Sequence, residues 1–126
     1  MDYKRMGFIL VGLLVAILGI AQEGIANKSS VTIEAPASAQ KGSEIVIRLH
    51  ISHEGNSFIH YTNWVYLKVN GKEVARWEFN SSNRPEAGNF SKEVKFLLNE
   101  SLEIVAEANC VLHGSTGAAR STVTAN

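Results

Sequence analysis

The chain has 126 residues, room for one domain of ordinary size once any targeting segment is set aside. Lys and Arg together number 12, as do Asp and Glu, so no long-range field draws the protein to nucleic acid or to an anionic membrane surface. A single cysteine, Cys110, excludes an internal disulfide.

In chain order, the first feature is Lys4 and Arg5 ahead of an unbroken small or apolar run over residues 7–21. A basic start followed by such a run is the pattern of a targeting segment. As a helix it rises only about 22 Å, short of a hydrocarbon core of roughly 30 Å, which favours an export signal over a stable span. Gly19-Ile20-Ala21 and Gly24-Ile25-Ala26 both offer small residues at cleavage spacing. Retention as a single-helix membrane anchor is the alternative. On either reading, residues 1–26 are a hydrophobic signal or anchor helix. Residues 27–126 are then a domain held outside the cytoplasm, in the periplasm or another extracytoplasmic space. Exported proteins normally use cysteines in pairs, so the unpaired Cys110 calls for a reason of its own.

The rest of the chain consists of short segments rich in β-branched and aromatic residues, separated by turn formers. Residues 31–35 predict a first strand, closed by Pro36 and a polar stretch through Gly42. Over residues 44–51 the alternation puts Ile45, Ile47, Leu49 and Ile51 on a core face and Val46, Arg48 and His50 on the other. Residues 64–69 repeat the period with Val65, Leu67 and Val69 inward. Asn70-Gly71 follows, a strong hairpin signal because both residues tolerate the positive φ of a type I′ turn, and the returning strand covers 72–79. Residues 80–89 have loop composition. Strands are expected over 90–98, over 102–109 with Leu102, Ile104, Ala106, Ala108 and Cys110 aligned, and over 119–124. About seven strands without a helical period predict an all-β, immunoglobulin-like sandwich.

Three of the four histidines and the cysteine fall at strand ends or in loops, where distant parts of the chain converge. In Cys110-Val111-Leu112-His113-Gly114, two residues between thiol and imidazole let one tight turn present both donors to a single ion, and Gly114 permits the bend. His53 and His60 bracket a connection between two predicted strands and could add two nitrogen ligands. A histidine in a loop is more often a solvated polar residue. A metal site nevertheless accounts at once for the unpaired exported thiol, the His at i+3 and the His pair. His50, in mid-strand on the outer face, is read as surface.

These motifs resemble those of the superoxide reductase and desulfoferrodoxin (neelaredoxin-like) family. Cys110-Val111-Leu112-His113-Gly114 is similar to the family's Cys-Asn-x-His-Gly. The stretch from His53 to Trp64 is similar to its His-Pro-Asn-Thr-x-x-His-His-Ile-x-Trp, with one residue inserted. The resemblance implies an immunoglobulin-like domain holding mononuclear non-haem ferrous iron (Fe2+) by four imidazoles and an axial thiolate. Its substrate is superoxide, reduced to hydrogen peroxide, with electrons returned by an unidentified donor. It also implies His53, His60 and His113 as ligands, Cys110 as the axial sulfur, and Trp64 as a candidate wall of the site. One imidazole of the family pattern is missing, because an alignment on Ile33-Glu34 puts Ser29 in its place. The same alignment puts Lys28 on the lysine thought to attract superoxide and assist catalysis, and Asn27 on a carboxylate position. Such three-His, one-Cys sets also suit zinc, and a His/Cys set on a sandwich suits copper.

Three functions follow: a superoxide reductase, a redox-inactive or electron-transfer metal module, and a metal-free sulfur-oxidation adaptor, loosely suggested by Lys41-Gly42-Ser43-Glu44 and Ile51-Ser52-His53. The expected partners exclude nucleic acid, reach membrane only through the N-terminal segment, and include a possible homo-oligomer.

Overall fold

The computed structural model describes residues 27–126, so the signal or anchor segment 1–26 lies outside the described residues. Eight strands and no helix make up the described chain. They are β1 (Ser30–Glu34), β2 (Ser38–Ala39), β3 (Glu44–Ser52), β4 (Thr62–Val69), β5 (Lys72–Glu78), β6 (Phe90–Leu97), β7 (Leu102–Cys110) and β8 (Ala119–Ala125). They form a three-stranded sheet in the order β1-β3-β6 and a five-stranded sheet in the order β2-β8-β7-β4-β5. All pairings are antiparallel except the short β2-β8 contact, an arrangement of immunoglobulin-like type.

Alternation of side chains along each strand decides what the sheets bury. Ile45, Ile47, Leu49 and Ile51 from β3 meet Val65, Leu67 and Val69 from β4, and Leu102, Ile104, Ala106 and Ala108 from β7, in one core with Val31, Phe90 and Val123. Burying one such aliphatic side chain contributes on the order of 1.5–3 kcal/mol, so these three rows dominate the stabilisation. Asn70 and Gly71 turn β4 into β5 with φ of 49° and 80°, as a type I′ turn requires. The Asn70 side chain strengthens the turn by accepting a 2.8 Å bond from Glu103 N–H.

Strand β2 is an addition to the seven expected. Its residues sit in a polar stretch with no apolar period, and it exists because Ala37 and Ala39 carbonyls accept bonds from Thr124 and Asn126 in the last segment of the chain. Such pairing depends on a partner some ninety positions away in sequence, invisible to local pattern.

The pairings also sort the loops between two ends. β3 and β7 finish, and β1, β4, β6 and β8 begin, at one end of the sandwich. At that end lie the connections 53–61, 79–89 and 111–118. The Asn70-Gly71 turn and the β6–β7 connection lie at the other.

Candidate metal centre

Strand β7 delivers Cys110 by simple alternation, as the last inward residue of the row that begins at Leu102. Its thiol is buried and free. The chain then closes a tight turn: Cys110 N–H donates to the Gly114 carbonyl (2.9 Å) and Gly114 N–H to the Cys110 carbonyl (3.0 Å). Gly114 takes φ of 83°, a conformation that costs glycine nothing and other residues considerably more. The turn carries His113 back over the sulfur, with Nδ1 4.0 Å from Cys110 Sγ.

The two remaining histidines arrive on the neighbouring loop. His60 belongs to a turn in which Ser57 and His60 exchange backbone hydrogen bonds of 2.9 and 3.2 Å. Its Nε2 lies 3.1 Å from His113 Nδ1, and the adjoining Tyr61 carbonyl accepts Val111 N–H at 3.0 Å, which ties the two loops together. His53 directly follows β3, and its ring packs edge-on against His60 with centroids 4.6 Å apart. One donor atom each from His53, His60 and Cys110 lie within 4.8 Å of one another. A single ion with bonds of roughly 2.0–2.3 Å spans about 4–4.6 Å between donors on opposite sides, so this spacing suits one ion.

The state of His53 gives a sharper test of fit. Its Nδ1 lies 2.7 Å from the Gly55 carbonyl and donates to it, which leaves the Nε2 lone pair unprotonated. That Nε2 is buried and makes no hydrogen bond of good geometry among the described residues, although the Asn27 backbone lies close enough to oppose the effect of burial on this ring. A buried polar atom without a partner costs about 1–3 kcal/mol, and an imidazole with one nitrogen fixed by a carbonyl and the other free is the arrangement metal ligation uses. Burial holds this imidazole below the ordinary histidine value of 6.5; the Gly55 bond opposes the shift and His60 adds to it. The ring therefore stays neutral at physiological pH. Imidazoles beside a thiol form a donor set suited to a first-row transition metal.

Supports for this arrangement come from residues that carry no chemistry. Asn89 Oδ1 accepts both His53 N–H (3.2 Å) and the Ser52 hydroxyl (3.1 Å), and Asn56 donates to the Pro85 carbonyl at 2.7 Å. Gly88 is obligatory, since a Cβ there would lie 2.4 Å from the His53 carbonyl oxygen. Neither Asn89 nor Gly88 stands out in the sequence, where both sit in a stretch of loop composition.

Ser29 is fully buried at the same end. Its hydroxyl lies 2.7 Å from that of Thr62, its N–H donates to the Gly114 carbonyl at 3.1 Å, and its carbonyl accepts Thr116 N–H. Thr62 in turn pairs with Cys110 across β4 and β7. Position 29 thus adjoins the donor cluster with no imidazole to contribute. Lys28 precedes it and is exposed. Trp64 stacks on Tyr66 with Arg76 over its ring, on the outward row of β4. His50 is exposed on the outer face of β3, between Ser91 and Glu34.

Residues 22–116 match the Desulfoferrodoxin family model, a span that includes all four donors, Lys28 and Ser29. The chain belongs to the desulfoferrodoxin family. Membership implies a non-haem iron ion and offers no support for zinc or copper. No curated protein sequence matches the chain. Among solved structures it is similar to a superoxide reductase (neelaredoxin) from Ignicoccus hospitalis, with 21% identity, TM-score 0.66, and coverage of 79% of this chain and 82% of that one. The E23A form of that protein matches at 21% identity and TM-score 0.65 over 84% and 86%. A CARDB domain from Pyrococcus furiosus, described in complex with di-metal ions, matches at 16% identity and TM-score 0.62 over 79% and 94%. At these identities the structural likeness speaks for the fold.

Proposed function

We propose that this desulfoferrodoxin-family protein is a superoxide reductase working outside the cytoplasm, with residues 1–26 as its export signal or anchor and residues 27–126 as the iron-binding domain. His53, His60 and His113 are the nitrogen ligands and Cys110 the sulfur ligand. The observation that carries this reading is the His53 ring, which offers a donor atom within 4.8 Å of His60 and Cys110 and whose buried Nε2 makes no hydrogen bond among the described residues.

When bound, ferrous iron supplies one electron to superoxide, which with two protons from solvent leaves as hydrogen peroxide. The chain's own contribution is to hold the donors. Gly55 fixes the His53 ring through Nδ1, the 110–114 turn sets the distance from thiol to imidazole, and the Tyr61–Val111 bond keeps the two donor loops in register. The Cys110 sulfur, buried at the end of the β7 row, is shielded from oxidation and from partner thiols. Lys28, exposed beside buried Ser29, supplies a positive charge at the same end that attracts the superoxide anion.

The test is rapid mixing of the ferrous-loaded protein with superoxide. The reading expects fast oxidation of the iron and one peroxide per iron oxidised; ferrous protein that superoxide leaves unchanged would overturn it. A second reading, a metal-binding or electron-transfer module without catalysis, is favoured by one observation: Ser29, not histidine, borders the cluster. Under that reading the iron cycles with chemical reductants yet ignores superoxide.

A further inference from the structure

Seven large apolar side chains are exposed among the described residues, and four of them sit on the two donor loops: Phe58 (65%), Ile59 (68%), Val111 (41%) and Leu112 (59%). Single exposed apolar residues are ordinary on a soluble surface. Four on two loops joined by the Val111–Tyr61 bond and the His60–His113 contact are a local concentration. Aromatic and aliphatic side chains at loop tips do not serve the donor geometry, which rests on backbone bonds and on the histidines themselves.

The N-terminal segment joins the domain at this same end. Ser29 is bonded to Gly114 and Thr116, so the chain enters beside the 110–114 turn. Only residues 22–26 separate the apolar run ending at Ala21 from Asn27. Fully extended, that connection reaches at most about 20 Å at 3.3–3.6 Å per residue. A run whose helical length of about 22 Å falls short of a hydrocarbon core of roughly 30 Å leaves no slack, and Lys4 and Arg5 would keep its start on the cytoplasmic side.

We propose that in the anchored form of the protein, with residues 7–21 kept, the donor-bearing end of the sandwich rests on the outer face of the membrane, with Phe58, Ile59, Val111 and Leu112 in the interfacial layer of the bilayer. The centre then faces the headgroups, and a reductant reaches it along the membrane plane. The proposal rests on the anchored form of the export reading and does not depend on the metal or its reaction. With mixed charges at this end, from Lys28, Glu54, Arg84 and Glu86, the attachment is apolar and persists in high salt.

The experiment uses the full chain reconstituted in phosphatidylcholine vesicles whose acyl chains carry bromine, a short-range quencher of tryptophan. Phe58→Trp should lose most of its added emission, in low and high salt alike. Leu97→Trp, an exposed position on β6 opposite Glu44 at the far end, should keep its own. Equal quenching at both positions, or quenching abolished by salt, would overturn the proposal. So would a Phe58→Trp emission that is shielded but unquenched in a chain sedimenting as a dimer, which assigns the surface to a second copy. Protein recovered from its cell envelope should retain residues 1–26 by mass, and a shortened soluble form would also overturn it. Superoxide mixing on the same vesicles separates the two readings, since quenching without iron oxidation retains the membrane surface and rejects the reductase.

Discussion

Two edges of the donor cluster treat polar atoms in opposite ways. On one edge His53 is buried with Nδ1 satisfied and Nε2 left without a partner among the described residues. On the other, Ser29 and Thr62 are buried just as deeply, yet their hydroxyls satisfy each other at 2.7 Å. The first edge is held open at a cost to the metal-free fold, and the second is closed on itself. An unpaired donor retained in a core is explained by something that binds there, whereas a closed hydroxyl pair needs nothing further.

The largest effect that would sharpen this contrast is at the sulfur. Cys110→Ser should weaken iron binding by more than about a hundredfold, beyond the 10–100-fold typical of losing a residue that merely orients a ligand. Metal titration followed by absorbance checks it, and unchanged affinity would remove Cys110 from the ligand set. Next comes Gly88→Ala, which forces a Cβ toward the His53 carbonyl and should cost about 2 kcal/mol in urea unfolding, with weaker metal binding because the His53 loop must move.

A smaller effect is expected on the closed edge. Thr62→Val leaves the Ser29 hydroxyl unpaired and should cost about 1 kcal/mol, while iron affinity stays within about twofold of the parent. A large loss of iron in that variant would show that the hydroxyl pair also serves the metal, and the contrast between the edges would fail.

The smallest effect is a pH dependence of the metal-free protein. His53 has a folded value below the ordinary 6.5, so the unfolded chain takes up its proton first as pH falls. Its contribution is fully present above 6.5 and is lost as pH falls through the lower folded value. Urea midpoints should therefore drop on acidification below 6.5, and less steeply in His53→Asn. Equal slopes in the two proteins would mean that His53 is not held neutral by burial.

Much of this architecture was legible in residue order. The inward rows of β3, β4 and β7 and the Asn70-Gly71 turn follow from local alternation and backbone preference, and each is present with its expected face. β2 was not legible, because its two residues gain strand geometry only from β8. At the candidate site, the spacing of Cys110 and His113 and the flanking position of His53 and His60 marked side chains that the fold brings close together. Gly88 and Asn89 left no such mark, since their roles arise where the 79–89 connection crosses beneath His53.

Sequence by itself therefore determined the family, the sandwich class and the lone thiol at the end of an inward row, because alternation and donor spacing are properties of neighbouring residues. Tertiary structure alone decided that His53 keeps a nitrogen without a partner among the described residues, that Ser29 turns to Thr62, and that four apolar loop side chains share an end with Ser29. Those outcomes depend on which loops the two sheets bring to the same end, and sheet pairing joins residues that the chain keeps far apart.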